Sequence, residues 1–187
     1  MMPRRSTRSV RVGSIVIGGS APVSVQSMTK TDTTAIDATV RQIRALATAG
    51  CEIVRVAVPT PEAAKALPLI RREANKVPLV ADIHFHPQFA IAAIDAGFDK
   101  IRWNPGNIRN PQVVRSVVDR AKDRGIPIRI GVNVGSLDPQ VEAAHPHDLI
   151  EAIVQSALKS VRLLEGVGFY DIVLSLKSSD VRQTLAA

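Results

Sequence analysis

The residues of this chain that can do chemistry recur near the ends of short apolar runs, often two positions apart. Asp82 and His84 end VPLVADIHF, Arg102 and Asn104 end DKIRWN, and Ser175 and Lys177 end DIVLSLK. Arg129 precedes Asn133 by four in IPIRIGVNV, and Arg55 lies within EIVRVAV. Side chains at i and i+2 of a strand leave the same face, so each set points one way. Arg55, Arg102, Arg129 and Lys177 are cations. Guanidinium forks grip phosphate oxygens through paired hydrogen bonds, and several converging on one place suit a diphosphate better than a monoanion. Asn104, Asn133 and Ser175 add neutral hydrogen-bonding groups to that set. Asp82 and His84 are the candidates for orienting a substrate hydroxyl or phosphate, with proton transfer by His84 near neutral pH.

Other chemistries fit these residues less well. Asp82, His84 and His86 carry the alternate spacing of metal ligands. The remaining histidines, His145 and His147, fall in a loop-like stretch, and no carboxylate or imidazole ends the later strands, which disfavours a metal site. His86 directly precedes Pro87, a position that caps a helix. Trp103 alternates with Arg102 and Asn104 and so faces the helices as packing. Cys51 is the sole cysteine, which excludes an intramolecular disulfide framework and any iron–sulfur cluster built on several thiolates from this chain. It sits in a turn at the opposite strand end, where a structural role is expected. The net charge of +7 resembles a nucleic-acid signature, but Arg4, Arg5, Arg8 and Arg11 supply much of it from a segment without acids. With 3% aromatic residues there are few stacking platforms, and nucleic acid is not an expected partner. No apolar run approaches the ~20 residues of a membrane-spanning helix, and no apolar region follows the opening arginines. Neither membrane insertion nor export is expected, and the cytoplasm is the default location.

The elements that must position these residues alternate along the chain. Strand candidates are 22–27, 52–58, 77–85, 99–104, 126–134 and 171–177, with five helical segments between them. Thr60-Pro61 and Asn110-Pro111 offer helix caps followed by Pro, while Gly50, Gly97 and Gly125 stand just past apolar periodic stretches. The fourth helix shows a buried stripe of Val113, Val114, Val117, Val118 and Ala121. The fifth shows Ile150, Ile153, Val154, Ala157, Leu158 and Val161. The stretch from Gly135 to His147 reads as one loop. Strict alternation predicts a parallel α/β sheet. Polar endings on all six strands favour a (β/α)₈ TIM-type barrel, whose strand ends meet at one mouth, over a doubly wound sheet. Such a barrel takes about 250 residues and eight strands, so the 187 residues are expected to form a single domain, the front part of an incomplete barrel with about six strands and two open edges.

Taken in order, VQSMTKTDT, AGCEIVRVAVP, VPLVADIHF, KIRWNPGNI, IPIRIGVNVGSL and DIVLSLKSSD closely resemble the bacterial 4-hydroxy-3-methylbut-2-enyl diphosphate synthase family of the non-mevalonate isoprenoid pathway. The likeness runs from about Arg5 to Asp180. It implies that Arg55, Asp82, His84, Arg102, Asn104, Arg129, Asn133 and Lys177 stand at substrate-binding positions around a barrel mouth that holds a diphosphate. It further implies reductive opening of 2-C-methyl-D-erythritol 2,4-cyclodiphosphate, with water expelled and two electrons delivered through a 4Fe–4S cluster from a flavodoxin or ferredoxin type donor. In the family the cluster's three cysteines and one glutamate belong to a separate domain that caps a partner's barrel in a homodimer. No cluster ligand is therefore expected in this chain. Trp103 and Lys30 depart from the family's usual aliphatic and neutral polar residues without removing a matched site residue. Dihydropteroate synthase barrels are similar at lower detail. Two readings follow: the substrate-binding barrel of an iron–sulfur oxidoreductase, inactive by itself, or a non-catalytic truncated remnant that binds phosphate-type anions or self-associates.

Overall fold

The structure is a computed structural model describing residues 5–74, 76–84, 86–104 and 110–187. Phe85, which ends the third strand candidate, and Arg4 of the basic segment lie outside the described residues. The chain opens with an antiparallel hairpin, β1 (Val10–Val12) and β2 (Ile15–Ile17). Then follow β3 (Gln26–Met28), α1 (Ile36–Thr48), β4 (Ile53–Ala57), α2 (Pro61–Ala74), β5 (Leu79–Asp82), α3 (Pro87–Asp95) and β6 (Lys100–Arg102). The remainder is α4 (Pro111–Arg124), β7 (Ile128–Asn133), α5 (Pro139–Ala144), α6 (Leu149–Gly166), β8 (Ile172–Lys177) and α7 (Val181–Ala186). Strands β3 to β8 lie side by side in chain order as one six-stranded parallel sheet, curled into a half-barrel with helices between successive strands. This is the incomplete TIM-type barrel expected from the alternation, with β3 and β8 at its edges. Among the described residues no helix is long and apolar enough to cross a membrane.

Local chemistry explains the helix limits. Thr60 Oγ1 accepts a hydrogen bond from the Ala63 amide at 3.2 Å ahead of Pro61, and Asn110 Oδ1 accepts from the Gln112 amide at 2.9 Å ahead of Pro111. Gly125 ends α4 in the left-handed region at φ 62°, where its amide bonds back to the Lys122 carbonyl. His86 stands at the N-cap of α3 without a side-chain cap bond; its ring packs on Phe89 with centroids 5.1 Å apart.

Alternation along each strand separates two environments. Val54, Val56, Leu79, Ala81, Ile101, Trp103, Ile128 and Ile130 face the helices and merge with Leu67, Ile70, Ile94, Val117, Val118 and Ile153 in one continuous core. Trp103 is 1% exposed there, which accounts for it as packing. The opposite face lines the lumen in layers. Met28, Arg55, Val80 and Lys100 are paired across one layer, and Ala57, Asp82, Arg102, Arg129 and Val173 across the next toward the C-terminal strand ends. The hairpin packs at the other end, where Val12 meets Ile53 and Val80 in a small apolar cluster joined by Ile15 and Ile17.

Several elements differ from the sequence expectation. The first strand covers only Gln26–Met28. Pro22 and Val23 do not join the ladder, Val23 being 82% exposed, and pairing starts where the Val25 carbonyl accepts from the Glu52 and Ile53 amides. The stretch 135–147 is not one loop. It holds a 3₁₀ turn over Val134–Ser136 and the helix α5, capped by Asp138 with Pro139 in its first turn. In α6 the buried face is Ala152, Ile153, Ser156, Ala157, Ser160 and Leu164. Small residues let this helix approach the sheet, so the stripe is rotated from the one drawn by the large apolar residues, and Ile150, Val154, Leu158 and Val161 are only half-buried.

Candidate functional site

The lumen-facing strand ends bring Arg55, Asp82, His84, Arg102, Arg129, Asn133, Ser175 and Lys177 around one basin of about 110 Å³. Asp82 is its hub. The carboxylate is 3% exposed, with Oδ2 3.4 Å from Arg55 Nε and Oδ1 3.3 Å from Arg102 Nη1. These pairs hold two guanidiniums toward the lumen in a geometry that would otherwise cost side-chain entropy at binding. Arg102 Nη2 also donates to the Gly131 carbonyl at 3.1 Å, and a Cβ at position 131 would stand 2.9 Å from Arg102 Nε. Arg55 rests Nε and Nη2 against Met28 Sδ at 3.2 and 3.0 Å, a weak acceptor that leaves most of its charge available. On the far side Arg129 Nη2 donates to Ser175 Oγ at 2.7 Å. Lys177 lines both this basin and the neighbouring hollow formed with Asn133, Gly135 and Ser178.

His84 stands at the rim, half-exposed. Its Nδ1 lies 3.4 Å from Arg102 Nη1 and its Nε2 3.5 Å from Asp82 Oδ2, so the ring stands between the guanidinium and the carboxylate. Asn133 accepts the Gly135 amide on Oδ1 at 3.0 Å and so shapes the turn beside the basin that it lines. Asn104 is not brought to the basin. It is 6% exposed, accepts from Ser160 Oγ of α6 at 3.1 Å, and faces the Ser136 carbonyl with Nδ2 at 3.5 Å, tying the end of β6 to α6 and to the 3₁₀ turn.

The electrostatics are one-sided, since Arg55, Arg102, Arg129 and Lys177 surround a single carboxylate. Burial, followed by the neighbouring charges of Arg55 and Arg102, lowers the pKa of Arg129 from its ordinary value, and Asp82 offsets part of this. Converging like charge of this kind focuses a field that favours a polyanion. Sequence reading missed Lys100, which lies one layer below the basin, 1% exposed, beside Val80. Burial first, then the charges of Arg129 and Arg55, push its ammonium down to about 8. Its signal was present in the sequence, because Lys100 precedes Arg102 by two and shares its face. Met28 was missed for a different reason: nothing in its type announces that it will cushion a guanidinium.

The described residues do not fit an iron–sulfur cluster. Cys51 is buried at the N-terminal end of β4, with Sγ donating to the Ile53 carbonyl at 3.1 Å, far along the strand from the basin. Among the described residues no group of three or more His, Cys, Asp or Glu side chains is placed to hold a metal ion.

The GcpE TIM-barrel domain family matches residues 7–187. This chain belongs to that family. Its GcpE-family relatives include 4-hydroxy-3-methylbut-2-en-1-yl diphosphate synthase (flavodoxin) of Caldanaerobacter subterraneus subsp. tengcongensis, 53% identical over 98% of the chain and 52% of the relative. The proteins of the same name in Symbiobacterium thermophilum and Maridesulfovibrio salexigens are 52% and 54% identical over 100% of the chain, covering 50% and 52% of their own lengths. The chain thus spans about half the length of the curated relatives it matches. Among solved structures, dihydropteroate synthase from Stenotrophomonas maltophilia superposes with a TM-score of 0.69 at 15% identity, over 96% of this chain and 70% of that one. The Plasmodium falciparum HPPK-DHPS gives 0.70 at 11% identity, over 95% of this chain and 36% of its own. At such identity these two show that the GcpE barrel shares a fold with dihydropteroate synthase and nothing finer.

Proposed function

We propose that residues 1–187 form one folding unit, the substrate-holding barrel portion of an oxidoreductase of the 4-hydroxy-3-methylbut-2-en-1-yl diphosphate synthase type. Its ligand in this reading is 2-C-methyl-D-erythritol 2,4-cyclodiphosphate, opened reductively in isoprenoid biosynthesis. The observation that carries the reading is the convergence of Arg55, Arg102, Arg129 and Lys177 on one basin against the single carboxylate of Asp82. Arg102, Arg129 and Lys177 take phosphoryl oxygens, and the Ser175 hydroxyl held by Arg129 adds a neutral contact. Asp82 acts as a positioning residue for Arg55 and Arg102. In this reading His84 orients a substrate hydroxyl or phosphate and transfers a proton. Asn104 serves the site from behind, by fixing the end of β6.

Electron delivery belongs to parts of the enzyme that supply thiolate ligands, because Cys51 is committed at the opposite strand end. Flavodoxin, which the relatives' names specify, is the electron donor in this reading, and a homodimer is the assembly. The test is thermal unfolding with and without the cyclic diphosphate. Ligand at about 100 times its dissociation constant adds about 2.7 kcal/mol to the native state, a clear rise in Tm. Arg102→Ala or Arg129→Ala is expected to remove most of that rise. Replacing Arg4 and Arg5 by Ala is expected to change only a salt-sensitive background. A response that survives in the strand variants and disappears in the tail variant overturns the reading in favour of non-specific polyanion binding.

A further inference from the structure

Lys100 is a buried cation to which the basin as described gives no task. It is 1% exposed on the lumen face of β6, between the apolar cluster that includes Val80 and the layer of Asp82, Arg102 and Arg129 above it. Among the described residues its ammonium makes no hydrogen bond or ion pair, and it is not sealed off completely, since no fully enclosed side-chain nitrogen or oxygen there lacks a partner. The charges that act on it are those of Arg129 from β7 and Arg55 from β4, while Asp82 of β5 and Arg102 of its own strand stand one layer above it and His84 lies beyond them at the rim. The hairpin contributes apolar Val12, and from β8 the one charge near the lumen is Lys177 at the rim. Asp82 is already shared between Arg55 and Arg102. A charged Lys100 therefore sits in an excess of like charge without a counter-ion of its own, and a polyanion entering the basin reverses that balance.

We propose that Lys100 is a fifth anion-binding group of the basin, one that in mildly alkaline solution gains its proton together with the ligand's negative charge, so that binding of a diphosphate is coupled there to proton uptake by the protein. This rests on the reading of the basin as a polyanion site. Burial and the charges of Arg129 and Arg55 already bring the group to about 8 in the ligand-free chain. A ligand that neutralises the two arginines removes one cause of that depression, and the direction of the coupling is therefore toward protonation. The consequence is specificity by charge. A diphosphate can satisfy the arginines and still recruit Lys100, whereas a smaller anion of lower charge, such as sulfate, is consumed by the arginines alone.

Calorimetric titration at pH 8.5 in two buffers of different protonation enthalpy measures the protons exchanged. The probes are inorganic pyrophosphate and inorganic sulfate, on the unsubstituted chain and on Lys100→Met. Pyrophosphate itself sheds protons on meeting cations, so the quantity read is the difference between the two proteins; sulfate is fully ionised at this pH and exchanges none. The unsubstituted chain is expected to take up on the order of half a proton more than Lys100→Met with pyrophosphate, and to bind it roughly tenfold more tightly. Sulfate is expected to show a smaller difference. In the unsubstituted chain labelled with ¹³C at lysine Cε, the Lys100 titration is expected to move to higher pH with pyrophosphate, a reading that needs no variant. Equal proton uptake in both proteins, or a Lys100 titration that pyrophosphate leaves unmoved, overturns the inference and leaves the basin standing. Failure of the unsubstituted chain to bind either anion overturns both.

Discussion

Gly131 shows how a single backbone position in the lining of the basin can govern the cation cluster. A methyl group there would sit 2.9 Å from Arg102 Nε, and the flexible end of that arginine would yield before the backbone did. Gly131→Ala is therefore expected to weaken pyrophosphate affinity about fivefold to tenfold while changing stability by less than about 1 kcal/mol. Titration and thermal unfolding of the same variant check both halves. Lys100 makes the opposite kind of statement, about stability. Its pKa falls from 10.5 to about 8 on folding, so the unfolded chain binds more protons between those values and stability rises with pH across that window. The burden is full below pH about 8 and gone above about 10.5. Lys100→Met is expected to raise Tm at pH 7, by a stability on the order of 3 kcal/mol, with the gain fading to nothing near pH 10.5. A gain that is flat with pH would show that packing, not charge, is responsible. Most residues of the basin were legible in the sequence because a two-residue spacing on a strand fixes a shared face. Asn104 obeys the same spacing and still is drawn away, by a serine whose partner lies 56 positions from it. Spacing does not report such long-range partners.

At the scale of elements, the alternation of strands and helices was legible because caps and glycines punctuate it and because the strand runs are rich in β-branched apolar residues that alternate with the lumen-facing polar ones. The short pieces were not. The hairpin β1–β2 has strands of three residues, too brief for an alternation signal, and its worth lies in the contact of Val12 with Ile53 and Val80. Gly13 makes its turn at φ 58°, with a virtual Cβ 2.9 Å from Asp99 Oδ1. Asp99 cannot easily give way, because its carboxylate is held by Arg71 at 3.0 Å and by the Leu79 amide at 2.8 Å. Gly13→Ala is expected to cost about 1–2 kcal/mol from the left-handed backbone alone, and more from the displaced carboxylate. Denaturant unfolding measures this, and an unchanged midpoint would show that the hairpin is not docked. Helix α5 was overlooked although Asp138-Pro139 is a cap-and-proline pair of the same kind as Asn110-Pro111. Its six residues carry no apolar stripe to confirm the start signal.

For the molecule as a whole, the parallel sheet leaves the outer edges of β3 and β8 unpaired among the described residues. Apolar side chains stand exposed beside them, Val25 at 56% and Leu174 at 49%. Unpaired edges of this kind template further strand pairing. The isolated chain is expected to self-associate with rising concentration in sedimentation experiments; a compact monomer at high concentration would contradict this. The same layered lumen that leaves the edges open also gathers cations from β4, β6, β7 and β8 above an apolar floor, and that gathering is the basis of the functional reading. The most direct test is a structure determined with the cyclic diphosphate bound. The predicted result is both phosphates in the basin, with oxygens within hydrogen-bond distance of Arg102, Arg129 and Lys177 and with Asp82 still between Arg55 and Arg102. Phosphates seated on the N-terminal arginines or elsewhere on the surface, with the basin empty at saturating ligand, would contradict it.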